Sequence, residues 1–118
     1  MKIKRIELLN FRFFYGVHEI EFSSDHKKPI TVFIGENTGG KSSVFNSIYW
    51  CFFGELLPGT KNPHEVINRV AKREEESPET IVTINFEHNG RDYHISRSTG
   101  VTNNFDLSRV ENGNFIPE

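Results

Sequence analysis

The chain has 118 residues, 36% of them hydrophobic and 25% charged, with eleven Phe against one Trp and a formal net charge of −2. That length and apolar content suit one domain with a core or part of a larger one, and the near-neutral balance argues against a chain-wide basic surface for nucleic acid. The single cysteine, Cys51, excludes an internal disulfide, and no stretch approaches the roughly 18 apolar residues of a membrane-spanning helix.

The N-terminal phrase Met1-Lys2-Ile3-Lys4-Arg5-Ile6-Glu7 interrupts any apolar run, so no secretory signal is read there and a cytoplasmic location is expected. Residues 2 to 9 and 17 to 22 read as two strands around Gly16, with His18, Ile20 and Phe22 alternating against Glu19 and Glu21, and they are expected to pair as a hairpin. Lys2, Lys4, Arg5 and Arg12 gather in this region, and their plain reading is solvated charge along a strand. Ser23 to Lys28 form a polar loop, and Pro29-Ile30-Thr31-Val32-Phe33-Ile34 is a β-branched and aromatic run expected to be a buried strand.

That strand runs directly into Gly35-Glu36-Asn37-Thr38-Gly39-Gly40-Lys41-Ser42, which satisfies the phosphate-loop pattern G-x-x-x-x-G-K-[ST] at every fixed position. A polyphosphate needs backbone N–H groups close to its oxygens, and residues without a Cβ permit that approach, which accounts for Gly35, Gly39 and Gly40. Lys41 supplies a point charge, and Ser42 supplies a hydroxyl able to ligate the Mg²⁺ that bridges the β- and γ-phosphates of ATP. Ser42 is also expected to open a helix running to Phe53, whose N-terminal dipole favours an anion. Its second half, Ile48 to Phe53, is apolar nearly all round, so the helix is expected to be buried with sheet on more than one face, and Gly54 is a suitable stop.

Pro58, Gly59 and Asn62 mark an irregular loop from Glu55 to Pro63, followed by a short helical or irregular piece from His64 to Ala71. Lys72 to Pro78, with its Arg73-Glu74-Glu75-Glu76 run, reads as a solvated connection. Ile81 to Glu87 and Arg91 to Arg97 flank Asn89-Gly90, a type I′ hairpin signal that places Phe86 opposite Tyr93 and Ile84 opposite Ile95, with Glu87 facing Asp92 and Asn85 facing His94. A second Asn-Gly at 112 and 113 sets Val110 across from Phe115, so the last third is expected to be an antiparallel meander. The five histidines show no metal-ligand spacing, and Cys51 reads as a small buried apolar residue.

A hydrolysing site of this type also needs an apolar strand ending in Asp-Glu, and many such ATPases sense the γ-phosphate with a glutamine. This sequence has neither an Asp after a run of apolar residues nor any glutamine. The expectation is a chain that holds half of an active site, completed by residues outside it.

At this point the sequence resembles the SMC-like ATPases, the group that includes RecF, SbcC and the DNA sulfur-modification protein DndD. The resemblance rests on Ile6-Glu7-Leu8-Leu9-Asn10-Phe11-Arg12, on Gly16 to Phe22, and on Gly35 to Ser43 with its Asn37 and doubled serine. Ile67-Asn68-Arg69 and Ile81 to Tyr93 are similar to the DndD-like branch in particular. It covers essentially the whole chain, as the N-terminal lobe of a family member. The resemblance implies an α/β fold of the P-loop NTPase, ABC-type head class, with the P-loop strand and one buried helix surrounded by antiparallel strands and hairpins. Residues 1–54 would carry strands, P-loop and helix, 55–79 an irregular linker, and 80–118 the meander.

It further implies that Asn37, Thr38, Gly39, Gly40, Lys41, Ser42 and Ser43 wrap the phosphates of ATP, with Ser42 on Mg²⁺ and Arg12 near the nucleotide. A coiled coil and a C-terminal lobe would follow, and two complete heads would sandwich two ATP molecules to act on DNA, in repair, in modification or in defence against foreign DNA. Two other readings stay open from the residues. A small phosphotransferase or nucleotide kinase would share the loop but needs an arginine-rich lid, whereas Arg91, Arg97 and Arg109 are scattered along expected strands. A non-catalytic nucleotide-binding module is the other.

Overall fold

Alternation of apolar and polar residues along the expected strands builds one antiparallel sheet. The computed structural model describes residues 1–22 and 38–118, so the expected strand at 29–34 and Gly35, Glu36 and Asn37 lie outside the described residues. In it β1 (Lys2–Leu9), β2 (Val17–Glu21), β3 (Thr80–His88), β4 (Arg91–Thr99), β5 (Phe105–Glu111) and β6 (Asn114–Pro117) lie in the order β2-β1-β3-β4-β5-β6. Two helices accompany them, α1 (Thr38–Phe53) and α2 (Arg69–Glu74).

The meander matches the register that the turns dictate. Asn89 and Gly90 take φ of 53° and 75°, and Asn112 and Gly113 take 53° and 78°, the left-handed pairs a type I′ turn requires. Phe86 faces Tyr93, Ile84 faces Ile95, Asn85 faces His94 and Val110 faces Phe115. On the inner face Ile6, Leu8, Val82, Ile84 and Ile95 are buried against Val44, Trp50 and Cys51 of α1. Aromatic rings extend this contact, with Phe52 at 5.4 Å from Phe86 and Phe86 stacked at 5.3 Å on Tyr93.

Strand β1 carries a detail that simple alternation misses. Ile3 and Ile6 both serve the core side, although residues three apart cannot share a face of a regular strand. A register shift between Ile3 and Arg5 reconciles them, inserting Lys4 as the extra residue of a bulge. Lys4 then reaches Asp92 at 2.9 Å and Glu87 at 3.5 Å, offsetting part of the charge of two carboxylates that face each other beside the turn. Arg5 pairs with Glu19 at 2.8 Å. Lys4 and Arg5 are thus interleaved with acids on the sheet, in line with the plain reading of them, whereas Arg12 lies beyond the end of β1.

Two expectations need correction. Helix α1 begins at Thr38, one turn before Ser42, and takes in Gly39 and Gly40. First-turn N–H groups have no intrahelical partner in any helix, so glycines there weaken little, and the longer segment behind them carries propagation. Among the described residues α1 packs on one face of the sheet, with Phe53 65% exposed, and the strand expected at 29–34 lies outside them. Finally, the charged run at 72–78 is partly helical: α2 spans Arg69–Glu74 because Asn68 accepts from the backbone N–H groups of Val70 and Ala71, a side-chain N-cap.

Gly100, with φ of 115°, sits where a Cβ would come within 2.3 Å of the Pro78 carbonyl oxygen, whereas a Cβ at Gly113 would meet nothing within 4 Å. Gly100→Ala is therefore expected to destabilise the fold by about 3 kcal/mol and Gly113→Ala by only about 1 kcal/mol. Urea unfolding of the two variants checks the ordering.

Candidate functional site

The helix that follows the phosphate-loop sequence is held firmly at its C-terminal half. Ser47 donates to the Val44 carbonyl at 2.6 Å, and Asn46, 2% exposed, accepts from Leu57 N at 2.8 Å and from Thr60 Oγ1 at 3.3 Å. At the C-terminus the Gly54 N–H bonds the Trp50 carbonyl at 2.7 Å with Gly54 at φ of 80°, a left-handed cap. Arg97 donates from Nε to the Cys51 carbonyl at 3.1 Å while its guanidinium lies 4.5 Å from the Phe105 ring centroid. These bonds fix the axis of α1 and with it the placement of its other end.

That other end is Thr38, Gly39, Gly40 and Lys41, the first four residues of α1, with no acidic residue in the first turn. Four N–H groups without intrahelical partners and the positive end of the dipole converge there. Ser42 and Ser43 follow within the same helix. The side chains of 38–43, like Gly35 and Asn37 in full, lie outside the described residues. The backbone present suits a polyphosphate: two residues lack a Cβ, a lysine follows, and the first turn of the helix contains no acidic residue.

The remaining site residue, Arg12, belongs to a tight turn after β1. Asn10 and Arg12 adopt φ of 50° and 49°, and Phe11 between them is fully buried with its ring 5.7 Å from Trp50. The Arg12 guanidinium donates from Nη1 to the Asn62 carbonyl at 3.3 Å and the Glu65 carbonyl at 2.8 Å, and from Nη2 to the Lys61 carbonyl at 3.2 Å. Its Nε–H is buried and finds no acceptor among the described residues. Burial lowers its pKa, opposed in part by Glu65, yet an arginine so placed stays charged. A cleft of about 500 Å³ opens beside it, lined by Phe13, Asn62, Ile67 and Arg69. Phe11 contacts α1 at Trp50, twelve residues beyond Thr38, or about 18 Å along the axis at the usual helical rise.

Sequence reasoning missed Asn10, Asn46, Asn68 and Arg97. Asn10 and Asn68 carried a readable signal, since Asn tolerates the left-handed region and favours N-caps. Asn46 and Arg97 carried none, because each is defined by a long-range partner.

Two other residues have plain roles. His94 donates from Nδ1 to Asn85 Oδ1 at 2.8 Å, its ring 4.6 Å from Phe115, and burial lowers its pKa. No cluster of potential metal ligands occurs among the described residues, and no described helix is long and apolar enough to cross a membrane. Burial pushes the Cys51 thiol up to about 12 from 9.0, so it is neutral and inert in the fold. A thiol reagent is accordingly expected to label Cys51 only in denaturant. The unfolded thiol ionises first, so stability should fall as pH rises from 9 towards 12, a loss that Cys51→Ala removes.

The sequence pattern of the AAA domain family matches residues 5–116. The chain is 40% identical over 68 residues to the DNA replication and repair protein RecF of Clostridium kluyveri, covering 58% of this chain and 17% of that protein. It is 34% identical over 98 residues to the DNA double-strand break repair Rad50 ATPase of Sulfurisphaera tokodaii, covering 83% of this chain and 10% of the relative. With the Rad50 ATPase of Sulfolobus acidocaldarius it shares 31% over 116 residues, covering 98% of this chain and 12% of that one. Among solved structures, the SMC head domain from Thermotoga maritima shares the fold, with a TM-score of 0.51 and 22% identity over 98% of this chain and 39% of that one. The chain thus spans about a sixth of the length of RecF and about a tenth of that of Rad50.

Proposed function

The chain belongs to the AAA domain family, and on that premise we propose that it is the ATP-binding N-terminal lobe of an SMC-like ATPase that works in DNA repair. The observation that carries this reading is the placement of α1, whose first four residues, Thr38 to Lys41, follow in sequence on Gly35, Glu36 and Asn37 with no acidic residue in the helix's first turn, where any helix leaves N–H groups without intrahelical partners. In this reading Gly35, Asn37, Thr38, Gly39, Gly40, Lys41, Ser42 and Ser43 wrap the phosphates, Lys41 compensates the β- and γ-phosphate charge, and Ser42 is the protein ligand of Mg²⁺. In this reading Arg12 borders the same nucleotide, a role taken from the resemblance, with its guanidinium held by the main-chain carbonyls of Lys61, Asn62 and Glu65.

The relatives named for DNA repair, RecF and Rad50, support the DNA-linked role. Because the chain spans only a fraction of their length, the remainder of the protein would supply the C-terminal lobe with the Asp-Glu strand and the γ-phosphate sensor. A second head would close on bound ATP, and DNA would be the partner of the closed pair. Roles in DNA modification or anti-phage defence, and placement in the DndD-like branch, rest on the phrases at 67–69 and 81–93 alone. A phosphotransferase is disfavoured by the arginines it would need: Arg97 caps α1, and Arg109 pairs with Glu111 at 2.8 Å and Glu118 at 3.2 Å.

ATP turnover tests this reading. The 118-residue chain should hydrolyse ATP no faster than its Lys41→Ala variant, and addition of the C-terminal lobe should raise turnover only when Lys41 is intact. Lys41-dependent hydrolysis by this chain alone, or phosphate transfer to a nucleoside or nucleotide acceptor, contradicts it.

A further inference from the structure

The turn that carries Arg12 is held from behind by one buried side chain. Asn68 is 5% exposed, its backbone N–H bonds the Asn10 carbonyl at 2.8 Å, and its Nδ2 donates to the Arg12 carbonyl at 2.6 Å. Its Oδ1 accepts from Val70 N at 2.8 Å and Ala71 N at 3.1 Å, capping α2. The amide can be oriented in only this way, because reversing it would aim N–H groups at N–H groups and an oxygen at a carbonyl. The bridge between Phe11 and Ile67 and the bond from Arg12 N to the Val66 carbonyl at 2.8 Å lie on either side.

We propose that Asn68 is a positioning residue of the nucleotide site, fixing through the Arg12 carbonyl the left-handed turn from which the Arg12 guanidinium is presented. The proposal rests on the reading of Arg12 as a neighbour of the nucleotide. Left-handed backbone is uphill for arginine, so φ of 49° persists only while bonds around the turn hold it. The guanidinium is fastened to the 61–65 segment on one side, and Asn68 fastens the Arg12 main chain on the other. With both attachments the side chain has one presentation. Without the Asn68 donor the turn can relax, and the arginine follows it.

Only an amide supplies the acceptor for α2 and the donor for Arg12 together, and this separates the proposed role from a merely structural one. Asn68→Asp keeps an N-cap acceptor but replaces the donor with an oxygen that repels the Arg12 carbonyl, whereas Asn68→Ala loses both. The test compares the 118-residue chain with its Asn68→Asp, Asn68→Ala, Arg12→Ala, Lys41→Ala and Asn68→Asp/Arg12→Ala variants, reading Mg-ATP affinity with a fluorescent ATP analogue and stability by thermal melting.

Asn68→Asp should melt above Asn68→Ala yet bind nucleotide about fivefold more weakly than the parent, as Arg12→Ala does, and the double variant should be no weaker than Arg12→Ala alone. Parental affinity in Asn68→Asp beside weakened binding in Arg12→Ala overturns the role of Asn68 and leaves that of Arg12 standing. Additive losses in the double variant overturn it too. Unchanged affinity in Arg12→Ala removes Arg12 from the site and the proposal with it, and binding that ignores Lys41→Ala, or no binding by the parent, removes the nucleotide site itself.

Discussion

The described structure depends on a knot at Asn10. This residue is 3% exposed and held at φ of 50°, and nearly every polar group it has is engaged by a different part of the chain. Its N–H bonds the Gly16 carbonyl and its Oδ1 accepts from Gly16 N, closing the β1–β2 turn. Its carbonyl accepts from Asn68 N and from Thr80 Oγ1, and its Nδ2 donates to Glu75 Oε2 and to the Glu79 carbonyl. The end of β1, the entry to α2, the exit from α2 and the start of β3 thus meet on one residue. Each bond is worth about 1 kcal/mol when made, but a buried group left unpaired costs more, so the knot tolerates little change.

The knot matters for function because it fixes the non-sheet elements on the sheet. Segment 61–68 is drawn against Arg12 and Phe11, Phe11 packs on Trp50, and α1 is secured at Asn46, Gly54 and Arg97. All these attachments lie in the C-terminal two thirds of α1. The opposite end of the helix, where the first-turn N–H groups converge, is the end to which the proposed function assigns the phosphates. A rigidly held helix presenting its N-terminus is what an anion site requires, since donors already in place need no reordering when the anion arrives.

The sequence was readable where chemistry is local. Asn-Gly turns dictated the β3–β4 and β5–β6 registers residue by residue, because only a few residue types accept consecutive left-handed angles. The phosphate-loop pattern is stated in residue types alone, because close backbone approach demands glycine, and its residues 35–37 lie outside the described structure. The bulge at Lys4 was hidden, although Ile3 and Ile6 both being apolar was its trace. The extent of α2 was masked by the charges at 72–76, whose cap, Asn68, was read only as part of a family phrase. Asn46, Arg97 and the multiple roles of Asn10 were beyond reach, since each depends on partners brought together by the fold. For Arg12 the resemblance pointed to a nucleotide, and the structure adds three main-chain carbonyls that hold it.

The central claim is that nucleotide phosphates sit on the first turn of α1. Amide chemical shifts of the ¹⁵N-labelled chain, recorded as Mg-ATP is added, test it most directly. The amides of Gly39, Gly40, Lys41 and Ser42 should move most, and Lys41→Ala should abolish the response while leaving the β3–β4 resonances in place. Shifts that bypass this turn and cluster instead around the cleft lined by His64, Arg69 and Lys72 would contradict the account.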